Sequence, residues 1–240
     1  MTFRTLSAAV VASLLVAGTA QAQQYNGDIS FGLYNNSGDT SRFGAETLGY
    51  LYSRSSFEFG GAWGAQFDLG GAAIFGDNAQ PAVGGHLFYN VNENISLGAF
   101  YAHEGYLRAR APGESFGDAQ HYGLEFHYSQ ANIEMNGYYG KYKPDCCSNR
   151  DLAGIDAKFG IGTVPGLKIV AGMHGSFNGA DDFYWYGGAE KDYSNNMTFG
   201  ARYSRDDDEN VFGLYADYKF GSGAKFSMRG LGSAMRGDHN

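Results

Sequence analysis

Residues 211–220 alternate without a break: Phe212, Leu214, Ala216, Tyr218 and Phe220 fall on one side, and Gly213, Tyr215, Asp217 and Lys219 on the other. Successive side chains of a β-strand point to opposite faces, so this segment is a strand with one aromatic-apolar face and one polar face. The rhythm recurs upstream. Ile29, Phe31 and Leu33 alternate with Asp28, Ser30 and Gly32, and Tyr122, Leu124, Phe126 and Tyr128 with His121, Gly123, Glu125 and His127. Ile155, Ala157 and Phe159 alternate with Asp156 and Lys158, and Phe199, Ala201 and Tyr203 with Gly200, Arg202 and Ser204. Twelve such segments are predicted between residue 23 and Phe220. Short turns at 53–55, 92–94, 129–131, 162–166 and 194–196 alternate with longer polar loops at 35–41, 76–82, 105–118, 144–151, 178–182 and 205–210. Two stretches phase less simply. Residues 42–53 fit either with Ala45, Thr47 and Leu51 outward or with Leu48, Tyr50 and Tyr52 outward, and residues 57–75 read as one long strand with a glycine bulge near Gly70-Gly71.

Alternation alone also fits a soluble sandwich, whose apolar face meets a protein core. Other features point to lipid. Arg4, the apolar run 8–16 and the small-x-small site Ala20-Gln21-Ala22 make a secretory leader. Tyr89, Tyr101, Tyr139, Phe183, Trp185, Tyr193 and Tyr218 stand near strand ends, where interfacial girdles form, and Phe220 closes the series. No later stretch approaches the ~20 apolar residues of a membrane helix, and a closed barrel is the other way to satisfy backbone groups in hydrocarbon. The expected fold is therefore all-β: a single antiparallel transmembrane β-barrel of about twelve strands, with short periplasmic turns and longer extracellular loops. Residues 1–22 read as signal peptide, 23–220 as barrel and 221–240 as a Gly-rich basic tail, in which 225–229 could add one short strand. The expected location is the outer membrane of a Gram-negative bacterium, after Sec-type export.

Composition agrees with this reading. Mean hydropathy is −0.34, as expected when only alternate strand residues meet lipid. With 37 Gly and 4 Pro, turns rest on Gly, Asn, Ser and Asp, while 18 Tyr and 18 Phe supply strand propensity and anchors. A net charge of −8 excludes nucleic acid as a partner, since phosphate binding needs a basic surface. The adjacent Cys146 and Cys147 leave open a strained vicinal disulfide, free thiols or an intermolecular link, or an incidental loop pair. The acidic runs 181–182 and 206–209 lack calcium-loop spacing and read as solvated loops; no metal is expected.

The polar faces carry the candidate chemistry. Asp28, Glu58, Asp68, Glu125, Glu134, Asp156, Glu190, Asp192 and Asp217 outnumber Lys158, Lys168, Arg202 and Lys219 on the predicted lumen side. A wetted bore with excess carboxylates would favour cations, because low-dielectric walls focus the field. The expected pore lining is Glu58, Asp68, Glu125, Glu134, Asp156, Lys158, Lys168, Arg202, Asp217 and Lys219. The bland alternative is that these groups pair and fill the interior. His86, His103, His121, His127, His174 and His239 accompany no recognisable nucleophile motif, so neither enzymatic activity nor a cofactor is expected. His103 and His174, near outer strand ends, would be the residues to test for hydrolysis.

The leader, the hairpin rhythm, stretches such as Gly44-Ala-Glu-Thr-Leu-Gly-Tyr-Leu-Tyr-Ser53 and the closing aromatic resemble the Gram-negative porin superfamily, particularly alphaproteobacterial porin-like proteins. The resemblance covers nearly the whole mature chain. It implies passive diffusion of small hydrophilic solutes or ions, outer-membrane lipid and lipopolysaccharide as surroundings, and a possible homo-oligomer. It also implies an inward-folded third outer loop, with Arg108, Arg110, Glu114 and Asp118 at the constriction. The chain departs from general porins in size, being too short for about sixteen strands. A non-conducting structural or adhesive barrel, acting through its outer loops, is the alternative expectation.

Overall fold

The computed structural model describes residues 25–37, 46–59, 61–74, 78–108, 117–145, 148–178, 183–205 and 210–229. The leader, Cys146, Cys147, Arg110, Glu114 and both acidic runs lie outside the described residues.

The strands are β1 Tyr25–Ser37, β2 Glu46–Phe59, β3 Trp63–Ile74, β4 Asn78–Asn90, β5 Ile95–Arg108 and β6 Gly117–Gln130. They continue as β7 Ile133–Pro144, β8 Arg150–Gly160, β9 Leu167–Phe177, β10 Phe183–Asp192, β11 Met197–Arg205 and β12 Asn210–Phe220. Each pairs antiparallel with its neighbours in sequence, and β12 returns to pair with β1, closing a twelve-stranded barrel. Closure is what removes the two edges that an open sheet of this kind would expose. The strands are 9–14 residues long, enough to cross a hydrocarbon layer at the tilt a barrel requires.

The register sorts side chains into two faces. Asp28 opposite Arg54, Arg54 opposite Asp68, and Asp68 opposite Gly84 run round the inside of the first strands. The outside carries Leu87, Leu97, Leu124, Ile169, Phe199 and Leu214, with Leu124 68% exposed while Asp68 is 1% exposed. Apolar outside and polar inside inverts the order of a soluble domain, where exposed apolar patches are small. Aromatic pairs ring the outer face: Trp63 meets Tyr89 at 5.2 Å, and Trp185 meets Tyr203 at 5.9 Å.

Several sequence-based boundaries shift. Residues 53–55 are not a turn. Strand β2 runs on to Phe59, and the chain reverses at Gly61, whose φ of 81° is open to glycine at no steric cost. Alternation across the true turn hid it, because an odd number of residues left the phase of the facing strands unchanged. Register passes unbroken through Gly70 and Gly71, so no bulge lies there. Of the loop expected at 76–82, residues 78–82 belong to β4. Strand β2 is phased with Thr47 and Leu51 outward and Leu48, Tyr50 and Tyr52 inward. Residues 225–229 do not extend the sheet. They enter the barrel.

Candidate functional site

Re-entry begins where β12 ends. Gly221 and Gly223 take φ values of 63° and 84°, and a Cβ on Gly221 would lie 2.2 Å from Asn26 Oδ1. The reversal thus needs glycine twice over. Ser222 N–H donates to Asn26 Oδ1 at 2.9 Å, and Ala224 N–H to Asp28 Oδ2 at 3.1 Å. Gln66, fully buried, then clamps the chain: its Oε1 accepts from the N–H groups of Lys225 and Phe226, and its Nε2 donates to the Phe226 carbonyl at 2.9 Å. Arg54 Nη1 donates to the same carbonyl at 3.0 Å. Backbone groups in a lumen must be satisfied by the wall, and here four side chains, Asn26, Asp28, Arg54 and Gln66, do so.

The tail's side chains complete the fit. Phe226, 0% exposed, stacks on the His86 ring at 5.8 Å and tilts against Phe88 at 5.5 Å. Burying one phenyl ring contributes about 2–3 kcal/mol. Lys225 Nζ donates to Glu58 at 3.0 Å and Asn90 at 2.6 Å. Arg229 reaches Glu125 at 3.4 Å and lies 4.2 Å over the Tyr138 ring. Met228 packs against the buried group of Tyr34, Leu48, Tyr50 and Tyr215. Residues 221–229 therefore span the inside wall from β1 to β7.

Beside the tail lies a cavity of about 180 Å³, bounded by Tyr50, Tyr52, Tyr138, Tyr186, Tyr215, Arg202 and the tail itself. Its tyrosines lie flat because inward glycines leave them a seat. A Cβ on Gly172 would fall 2.3 Å from the Tyr186 ring, and one on Gly200 2.1 Å from Tyr215.

All ten residues expected to line a pore stand on the inward face by register: Glu58, Asp68, Glu125, Glu134, Asp156, Lys158, Lys168, Arg202, Asp217 and Lys219. Many are paired. Asp28 holds Arg54 by a two-pronged contact of 2.8 and 2.9 Å, the strongest geometry for this pair. His86 bridges Asp68 at 2.8 Å and Glu125 at 2.5 Å, all three side chains buried. Lys158 lies 3.3 Å from Glu190, Lys168 2.9 Å from Asp192, and His174 2.9 Å from Asp156.

The constriction-loop expectation is corrected in part. Arg108 is the last residue of β5, paired with Asn78, rather than a loop residue. Asp118 lies in β6 opposite Gly105, on the outward face, with its carboxylate 3.8 Å from His103. Strand β6 puts odd-numbered residues inward, so Asp118 cannot line the bore. Among the described residues, the element narrowing the lumen is the tail. His174 points inward to Asp156 and Tyr138, and His103 points outward, so the two do not share a site.

Sequence reasoning missed Arg54, placed in a turn, and the inward course of the tail, read as a basic extension or one more short strand. One signal was present. Inward carboxylates so outnumbered inward bases that a low-dielectric interior would have been costly without further cations. Arg54, Lys225 and Arg229 supply them.

No protein-family model matches the chain, and no curated protein does. Solved structures do. A KdgM porin in complex with disordered oligogalacturonate shares 10% identity, with 80% of this chain and 99% of that one covered and a TM-score of 0.59. The translocator domain of the autotransporter NalP from Neisseria meningitidis shares 12%, covering 90% and 97%, with a TM-score of 0.53. An outer-membrane channel from Pseudomonas putida F1 shares 12%, covering 81% and 96%, with a TM-score of 0.56. The chain has the fold of outer-membrane β-barrels. At such identities the likeness extends to the fold alone.

Proposed function

We propose that this chain is an outer-membrane channel of porin type, passing small hydrophilic solutes by passive diffusion across a Gram-negative outer membrane. One observation carries the proposal: a closed barrel whose outer face is apolar encloses a cavity lined by charged and hydroxyl-bearing side chains. Lipid accounts for the first surface and a hydrophilic path for the second. The KdgM porin and the Pseudomonas channel lend support as barrels of like architecture described as channels. Kinship with alphaproteobacterial porin-like proteins belongs to the same proposal and rests on sequence rhythm.

Selectivity follows from the lining. The expected cation preference rested on an excess of inward carboxylates over inward bases. Around the cavity, the inward Arg54, Lys158, Arg202, Lys225 and Arg229 outnumber Glu134, Asp156, Glu190 and Asp217. The path proposed here is therefore narrow and does not reject anions. Single-channel recording in planar bilayers tests it. Discrete steps with folded protein, and a reversal potential near zero in a salt gradient, are the expected result; a silent membrane despite verified insertion would reject it.

The inserted tail favours a second reading, a barrel that does not conduct and acts through its outer loops. That reading requires silence from the full chain, and conduction gained by a chain ending at Phe220 would identify the tail as what closes the bore.

A further inference from the structure

Arg202 differs from its neighbours in the lumen. Arg54, Lys158, Lys168, Lys225 and Arg229 each have a carboxylate within ion-pair reach. Among the described residues Arg202 has none, and its buried Nε has no hydrogen-bond partner. What holds it is aromatic. Its guanidinium lies 4.1 Å from the centre of the Tyr186 ring and 5.4 Å from that of Tyr215. Neither hydroxyl accepts a hydrogen bond from the guanidinium, and each donates elsewhere. Tyr186 donates to Asp156 at 2.6 Å and Tyr215 to Glu190 at 3.1 Å, so both are tied to carboxylates of their own. Ring faces hold a cation in place but leave its N–H donors unused, and an unused buried donor is costly.

The guanidinium borders the cavity, so the missing acceptor can arrive from there. Its planar fork matches two oxygens of a carboxylate or phosphate. Flat surface for the rest of such a ligand is also present: Tyr50 and Tyr52, both at the cavity, stack at 5.4 Å. The cavity holds about 180 Å³, and a cavity of about 150 Å³ accommodates benzene.

We propose that Arg202, flanked by Tyr186 and Tyr215, is an oxyanion-binding subsite inside the barrel, taking a small planar organic carboxylate whose body lies against the neighbouring tyrosines. The subsite rests on the channel reading for access from outside, but its test does not. Full-length protein refolded in detergent is titrated with sodium benzoate, with benzyl alcohol as the neutral counterpart, by calorimetry. Heat-modifiable gel mobility verifies folding of each variant.

Saturable benzoate binding is expected, weakened at least tenfold in Arg202→Gln and weakened severalfold in Arg202→Lys, which keeps the charge but loses the fork. Benzyl alcohol should bind equally weakly to the native protein and to either variant. Inorganic phosphate displacing benzoate supports the oxyanion contact. Benzoate affinity that neither variant changes, or no benzoate binding at all, overturns the subsite. If Arg202→Gln does not fold, Arg202→Lys decides alone. A silent bilayer alongside Arg202-dependent binding would remove the channel and leave the subsite; a conducting barrel without that binding would do the reverse.

Discussion

Ending the chain at Phe220 removes the nine described residues that enter the lumen, and geometry sets the size of the effect. Strands about 4.8 Å apart and tilted by about 40° each take roughly 6.3 Å of circumference. For the twelve strands here that gives a backbone radius of about 12 Å. Inward side chains form a layer about 5 Å thick, half the spacing of packed sheets, which leaves a bore of about 7 Å radius and about 150 Å². An extended peptide running along the axis occupies about 50 Å², the product of the two spacings in a stacked sheet, and more if it crosses obliquely. Conductance scales with free area, so truncation should raise it by about 1.5-fold or more. It also strips Lys225 and Arg229 from Glu58 and Glu125, so the reversal potential in a salt gradient should move toward cation selectivity. The assay is single-channel recording of both forms, folding verified by heat-modifiable mobility. A truncated barrel that is folded, with unchanged conductance and unchanged reversal potential, would refute the placement of the tail across the path.

Three further substitutions probe other parts of the barrel. Leu124→Arg puts a charge in the middle of β6 on the outer face and should lower unfolding stability in lipid vesicles by about 2–4 kcal/mol; no loss would mean that this face meets water. Asp28→Asn leaves the Arg54 guanidinium without its carboxylate and should cost about 3 kcal/mol in urea unfolding, whereas a cost below about 0.5 kcal/mol would mean that water already screens the pair. Gly200→Ala brings a methyl group within 2.1 Å of the Tyr215 ring and should cost about 1–3 kcal/mol; a neutral result would show that the ring has room to move.

The barrel was legible because its physics is one-dimensional. Lipid on one side and solvated groups on the other impose a period of two, and Phe212 through Phe220 display it residue by residue. The inward set from Glu58 to Lys219 follows from that phase with no knowledge of pairing. Partnerships were not legible. Asp28 meets Arg54, and Lys225 meets Glu58 across 167 positions of sequence, only once closure and register are fixed. The tail escaped for a different reason. Residues 225–229 alternate like a strand, but the backbone of Lys225 and Phe226 hydrogen-bonds to Gln66 side-chain atoms instead of to a neighbouring strand. Periodicity reports which face a residue takes, not which partner satisfies its backbone. Electroneutrality carries that second kind of information. A closed wall that gathers carboxylates inward requires bases from somewhere, and the segment after Phe220 holds Lys225 and Arg229 at the spacing that reaches Glu58 and Glu125. Among the described bases bordering the cavity, Arg202 is the one left over from this balance. The proposed subsite rests on that residual charge rather than on the excess of acid first counted on the strands.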